Sequence, residues 1–335
     1  MVLLLAISLL SSCGPTETVV EDLSQTTYAL GTVISINLYD QGDQALMDQL
    51  IARVSVIEGL MSAQIETSEI SEIMNQAGIE PVKVSEETFY VIERALYYAD
   101  LSGGKFDPTI GPIVDLWGIG TEDARVPDQG EIDEALQYVD YNLIELDEAA
   151  LTVYLPLEGM SLDLGGIAKG YVADELVKVL DEGQVERAMI NLGGNVYAYG
   201  EKANGELYKV AIQTPYDTRN TYFGYTELQD ATVVTSGPYE RYFEEDGVIY
   251  HHIFDAHTGY PLQGDVVSVS IVSPNSIDAD ALSTLLFTMS PEDGLELIES
   301  IVGIECVYVD KSFKLTLSSG LIDNFVLTDD QYEIE

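Results

Sequence analysis

Three kinds of group in this sequence have the type and spacing to handle a phosphate ester: a lysine behind a glycine turn, a carboxylate with hydroxyls one helical turn on, and a knot of histidines. The first lies in SLDLGGIAKGYVADEL, residues 161–176. Gly165 and Gly166 let backbone approach a ligand closely. The amides of the helix that follows can face an anion, and Lys169 adds a point charge. Asp163, at the end of a strand-like run, can accept hydrogen bonds from a ribose or a heterocycle. The spacing is not that of a P-loop, because the lysine precedes the last glycine and no Ser or Thr follows it. A plain strand–turn–helix corner with a surface lysine fits the same residues.

The second group is DADALSTLLF, in which Asp280, Ser283 and Thr284 stand at i, i+3 and i+4, on one face of a helix. One carboxylate with hydroxyl oxygens suits Mg²⁺, an ion held through few carboxylates plus substrate phosphates. Helix capping by Asp278 or Asp280 is the structural alternative. The third is HHIFDAH, which holds all three histidines of the chain, His251, His252 and His257. The spacing matches no familiar zinc pattern and no cysteine is near, and in a strand His251 and His252 point to opposite faces. One histidine acting as a general base or phosphate contact is the better reading. A further stretch, GGKFDPTIGPIVDLWG (103–118), sets Phe106 and Asp107 where a loop could hold a flat ring by stacking and a hydrogen bond. A purely structural loop is equally consistent with it.

Residues so far apart need a scaffold to meet. Leu46, Leu50, Val54, Ile57 and Met61 recur at spacings of three and four, which predicts an amphipathic helix over 43–62. Phe89, Ile92, Leu96 and Ala99 predict another over 87–100. The lysine motif continues as a helix from about Ile167 to Leu180, with Val172, Leu176 and Val179 inward and Gly183 as its stop. Residues 277–289 read as helix, and Ser290-Pro291-Glu292-Asp293 opens one more. Strand-like segments are YALGTVISINLYD (28–40), RAMINLGGNVYAYG, KVAIQTPY, ATVVTSG, YHHIFD and VVSVSIVS, with CVYVD and FKLTLSS near the end. Strands and helices interleave without regular β-α-β spacing, so the expected fold class is α+β, with mixed sheets and packed helices.

Bulk composition narrows the function. With 14 basic and 58 acidic residues the formal net charge is −44, a surface that repels nucleic acid and anionic headgroups. Residues Val2 to Leu10 form an apolar run too short to span a bilayer. The sequence that follows it, Ser11-Ser12-Cys13, resembles the lipobox of bacterial lipoproteins. The expected organisation is a signal peptide over 1–12, a lipidated Cys13 with a polar tether over 13–25, and a single domain over 26–332. That would place the protein at the cell membrane, lipid-anchored on the extracytoplasmic face. With Cys13 acylated, Cys306 is the remaining thiol and no internal disulfide forms.

Taken in order, Gly-Thr near the start, GGKFDPTIGP, LDLGGIAKGYVAD, NLGGN, TSGPYER, HHIFDAHTGYP and DADALSTLLF together resemble the FAD:protein FMN transferase (ApbE) family, over about residues 26–330. The resemblance implies a T-fold-like catalytic domain that takes FAD and Mg²⁺, cleaves the diphosphate, and moves FMN to a threonine or serine hydroxyl of an exported flavoprotein domain of a membrane redox complex, releasing AMP. Hydrolysis of FAD to FMN and AMP, or passive flavin or solute binding, are the alternatives. Carried over by motif, Leu30, Lys105, Phe106, Asp107, Asp163, Lys169 and Thr258 would contact the flavin nucleotide. The Gly166 carbonyl, Asp280, Ser283 and Thr284 would hold Mg²⁺, and His252 with Lys169 would be catalytic.

Overall fold

The computed structural model describes residues 22–39, 42–216 and 221–335; Cys13 and the apolar run before it lie outside them. A nine-stranded sheet runs through the molecule in the order Leu23–Ala29, Thr32–Leu38, Ala188–Leu192, Asn195–Tyr199, Ala231–Ser236, Val266–Ser273, Glu305–Asp310, Lys314–Leu317 and Glu333–Ile334. Every neighbouring pair is antiparallel except the last. Side-chain alternation sorts its residues between two faces. Ile34, Ile36, Ile190, Val269 and Ile271 pack among the helices, while Ala198, Val233, Val267, Val307 and Val309 pack toward a three-stranded sheet built from Tyr208–Gln213, Tyr222–Leu228 and Phe325–Leu327.

The helices obey the spacing that predicts them. Gln44–Met61 buries Leu46, Leu50, Val54, Ile57 and Met61, and Asp43 caps its start by accepting from the amides of Ala45 and Leu46. Glu86–Ser102 buries Phe89, Ile92 and Ala99, with Leu96 half-buried and Ala95 inward beside it. In Ala168–Glu182 the third inward position is Leu180, with Val179 at the margin. Ser290 caps Pro291–Glu299 as the Ser-Pro-Glu-Asp order demands.

Two expected strand segments and one further strand differ from expectation. The sheet starts at Leu23, inside the stretch read as tether, and turns back at Leu30-Gly31, so YALGTVISINLYD is the end of one strand and the whole of the next. Leu30 and Gly31 both have positive φ, 54° and 67°, a two-residue turn that matches sheet twist. RAMINLGGNVYAYG is likewise a hairpin, closed by Gly193-Gly194. The strand Tyr222–Leu228 was not expected: its FGYTEL core carries a glycine and polar residues that mask the alternation.

Two helices position the site. Ala168–Glu182, the lysine helix, precedes the sheet strand Ala188–Leu192; Ser276–Phe287, the aspartate helix, follows the strand Val266–Ser273. They cross at Gly170, where a Cβ would meet the Ser276 carbonyl oxygen at 2.3 Å and Ile277 Cα at 2.6 Å. Any side chain there would separate the two backbones.

Candidate active site

The aspartate helix begins without a cap from its own side chains. Asp174 of the lysine helix supplies it instead, accepting from the amides of Ser276 (2.7 Å) and Ile277 (2.9 Å). Neither Asp278 nor Asp280 caps: Asp278 pairs with Arg94 and Tyr98. Below the cap, Ser276 and Thr232 both donate to the Asn195 side-chain oxygen, so the helix start is tied to two sheet strands.

One turn further, Asp280 is 3% exposed. Its Oδ1 lies 3.1 Å from Lys169 Nζ, and its Oδ2 accepts from the Gly170 amide at 2.9 Å. Lys169 also donates to the Gly165 carbonyl at 2.9 Å. The glycine-turn lysine and the helix carboxylate, 111 residues apart, are therefore direct partners. Thr284 Oγ1 faces Gly166, 3.3 Å from where a Cβ would stand, and the Phe106 ring closes the same glycine from the other side at 3.1 Å.

This arrangement corrects several expectations. The helix start is not an open anion cradle, because the Ile167 and Ala168 amides already donate to the Leu164 carbonyl and the Gly170 amide to Asp280. The Ser283 hydroxyl is committed inside the fold: it is fully buried, donates to the Asp280 carbonyl at 2.9 Å, and shares a 2.8 Å hydrogen bond with Ser236. Asp107 is also spent internally. Its oxygens accept from the Thr109 amide and hydroxyl (2.7 and 2.6 Å) and from the Tyr141 amide (3.1 Å), clasping the loop, and burial raises its pKa. Phe106 is 7% exposed and belongs to the core, so it lines the site with little more than a ring edge. Asp163 uses Oδ1 on the Gly165 amide at 2.6 Å and stays half-exposed. Lys105 is exposed on the loop between Gly104 and Phe106.

The histidine stretch follows the short hairpin Tyr242–Glu245/Val248–His251. His251 and His252 diverge, as adjacent strand residues do. His251 is buried and satisfied at both nitrogens, with Nε2 on the Leu262 carbonyl at 2.7 Å and Nδ1 accepting from the Ile253 amide at 3.3 Å. His252 turns the other way, and Arg241's carbonyl accepts both its amide and its Nδ1–H at 3.2 Å. Since a carbonyl can only accept, Nδ1 carries the proton and Nε2 keeps its lone pair. Burial, then the charge of Arg241 and more weakly that of Lys169, lowers the His252 pKa to about 4. Burial alone does the same for His251. The loop beyond is held by Asp255, which accepts from the amides of His257 and Thr258, and by Trp117, whose Nε1 donates to the Gly259 carbonyl at 2.8 Å. Thr258 is exposed there, and His257 Cε1 approaches the Gly104 Cβ position at 3.9 Å. The Leu30-Gly31 turn reaches the same region, since Arg241 Nη2 donates to the Gly31 carbonyl at 3.3 Å.

The geometry thus gathers a neutral histidine whose Nε2 has no hydrogen-bond partner among the described residues, a lysine–aspartate pair and a hydroxyl at the mouth of a glycine turn. Sequence reasoning missed Asp174, Ser236 and Arg241. Ser236 and Arg241 lie in TSGPYER, a stretch noted without assigning them roles.

The ApbE family model matches residues 30–308. An FAD:protein FMN transferase from Treponema pallidum (strain Nichols) is 35% identical over 341 residues, covering 97% of this chain and 94% of that protein. One from Klebsiella pneumoniae (strain 342) is 36% identical over 311 residues, covering 93% and 96%. Among solved structures, the ApbE protein of Thermotoga maritima superposes with a TM-score of 0.82 at 32% identity, covering 90% of this chain and 98% of that one. The flavin transferase ApbE of Vibrio cholerae gives 0.82 at 28%, covering 91% and 99%. With the family model spanning most of the chain and relatives above 30% identity along nearly all of it, the protein belongs to the ApbE family of flavin transferases.

Proposed function

We propose that this chain transfers the FMN half of FAD to a threonine or serine hydroxyl of a partner protein and releases AMP. The observation that carries the reading is His252 Nε2, a neutral base without a hydrogen-bond partner among the described residues, close enough to Lys169 to feel its charge. The acceptor hydroxyl gives its proton to Nε2 as its oxygen bonds to the flavin-side phosphorus. The bond from that phosphorus to the bridging oxygen breaks, and the bridging oxygen leaves with AMP. With water in place of the hydroxyl the same steps yield FMN and AMP.

The donor set fits a magnesium ion. Asp280 brings one carboxylate, Thr284 a hydroxyl and Gly166 a carbonyl, all hard oxygens, and the Lys169 ammonium already sits on Asp280 as a stand-in cation. Among the described residues no three His, Cys, Asp or Glu side chains converge. Asp280, Thr284 and the Gly166 carbonyl would hold the ion, with Ser283 and Ser236 behind them fixing the helix. Once bound, it would offset charge on the diphosphate oxygens. Without an ion, Lys169 orients Asp280 and the Gly165 carbonyl.

Incubating the protein with FAD, Mg²⁺ and an acceptor domain bearing a candidate threonine should give AMP by chromatography and a fluorescent acceptor band on a denaturing gel. AMP without the band at every acceptor tried would assign hydrolysis; neither signal would remove the reading.

We further propose that Cys13 is acylated and holds the domain on the extracytoplasmic face of the membrane, next to exported flavoprotein domains of redox complexes. The apolar run Val2–Leu10 ending in Ser-Ser-Cys supports this, and no helix among the described residues is long and apolar enough to cross a membrane. Cys13→Ser should move the expressed protein from the membrane pellet to the soluble fraction; an unchanged pellet fraction would sink the anchor.

A further inference from the structure

A chain with 14 basic residues against 58 acidic ones makes the position of an uncompensated cation informative. Arg53, Arg94 and Arg125 are each matched by a carboxylate within 2.8 Å, and Lys169 spends its charge on Asp280. Arg241 forms no ion pair among the described residues. Lys83, Lys105 and Lys311 share that property, but Arg241 stands apart from them by its contact with His252. Its carbonyl fixes the His252 tautomer, while its side chain extends away to the Leu30-Gly31 turn, where Nη2 donates to the Gly31 carbonyl at 3.3 Å.

The seat of this side chain is built by two glycines from separate loops. At Gly31, φ +67°, a Cβ would come within 2.9 Å of Nη2; at Gly120, φ +93°, it would stand 3.5 Å from Arg241 Cδ. Both glycines hold a left-handed backbone that a side chain would strain, and the first must lack one for the guanidinium to lie there. Among the described residues one of its five guanidinium N–H donors is occupied. A planar fork with free donors suits the oxygens of a phosphate better than an ammonium does.

We propose that Arg241 is a second anion-binding group of this site, gripping the diphosphate of FAD together with Lys169. The inference depends on the flavin-transfer reading above and adds the residue that would overcome the repulsion a −44 surface exerts on a dianionic substrate. It also couples recognition to the base, because the residue that would hold the diphosphate is the one whose backbone carbonyl holds His252 in register.

The test compares full-length wild type, Arg241→Gln and Arg241→Lys for FAD binding, riboflavin binding and AMP release. Riboflavin carries the same ring system without phosphate, so it reports the flavin pocket and the fold alone. Arg241→Gln should weaken FAD binding by roughly 10- to 100-fold, the loss expected for a charge-assisted hydrogen bond. It should leave riboflavin binding within about twofold and flatten the salt dependence of FAD affinity. Arg241→Lys should recover part of the loss. Wild-type FAD affinity in Arg241→Gln would overturn the inference and leave the flavin-transfer reading intact, and so would parallel losses for FAD and riboflavin in both variants. Wild-type protein that neither binds FAD nor releases AMP would overturn both.

Discussion

Asp280→Asn should lower AMP release by about 10²–10³-fold, the scale of losing one preorganised charge at a phosphoryl centre. Asparagine keeps an oxygen for the Gly170 amide, which Asp280 Oδ2 holds at 2.9 Å, but gives up the ion pair with Lys169, so its melting temperature should fall less than that of Asp280→Ala. Asp280→Ala makes the same functional lesion and a structural one. The Gly170 amide, at the crossing where Gly170 abuts the Ser276 carbonyl, would be left without an acceptor, at about 1–3 kcal/mol. The pair of variants separates the two roles. Titrating Mg²⁺ into the turnover assay checks the first, since Asp280→Asn should no longer respond to the ion in the range where wild type does. Full, Mg²⁺-responsive turnover in Asp280→Asn would remove Asp280 from the site.

His252→Gln carries the second large effect, a loss of about 10²–10⁴-fold in turnover with FAD binding little changed, as for removal of a general base. The pH profile makes the assignment specific. Burial lowers the His252 pKa to about 4, so the base form persists through neutrality and is lost as pH falls through that value. Wild-type kcat/KM should therefore have an acid limb near pH 4, which His252→Gln abolishes.

Stability must be followed in parallel. His251 and His252 both have lowered pKa values, so between about 6.5 and 4 the unfolded chain binds more protons than the folded one, and their contribution to stability is lost as pH falls across that window. Asp174 has the opposite sign. Burial raises its pKa to about 6, so the stability it contributes is present in full at low pH and lost as pH rises through 6. A limb that tracks unfolding and not activity of the folded fraction would argue against His252 as the base. The companion variant His251→Gln should disturb stability more than the limb, because His251 is satisfied at both nitrogens away from the site.

What the sequence made legible was local. Five apolar residues at helical spacing in 43–62 identified the buried face of Gln44–Met61, and Ser290 with Pro291 identified a helix start, because both signals arise within a few residues. Asp280 and Thr284 were visible as neighbours on one helix face for the same reason. The residues missed or placed differently have partners that are distant or commonplace. Asp174 reads as one more acid in an acidic helix, yet its oxygens cap a helix start 102 residues on. Ser283 has the spacing of a ligand, but its hydroxyl is drawn to Ser236, 47 residues away, and to its own helix carbonyl. Asp107 precedes a proline and a threonine, and the clasp it makes with Thr109 is a short-range feature that a turn-based reading could have found.

The ammonium of Lys169 on Asp280 has a further meaning for how the protein is assembled. A buried carboxylate without a counterion would have to be protonated or wait for a cation from its surroundings before the two helices could close. Here the chain carries its own counterion on the helix that the carboxylate faces. Closing the two helices then requires no cation from outside, and the ion proposed for this site would replace one positive charge with another. On that reading a chelator should abolish turnover while leaving the melting temperature unchanged.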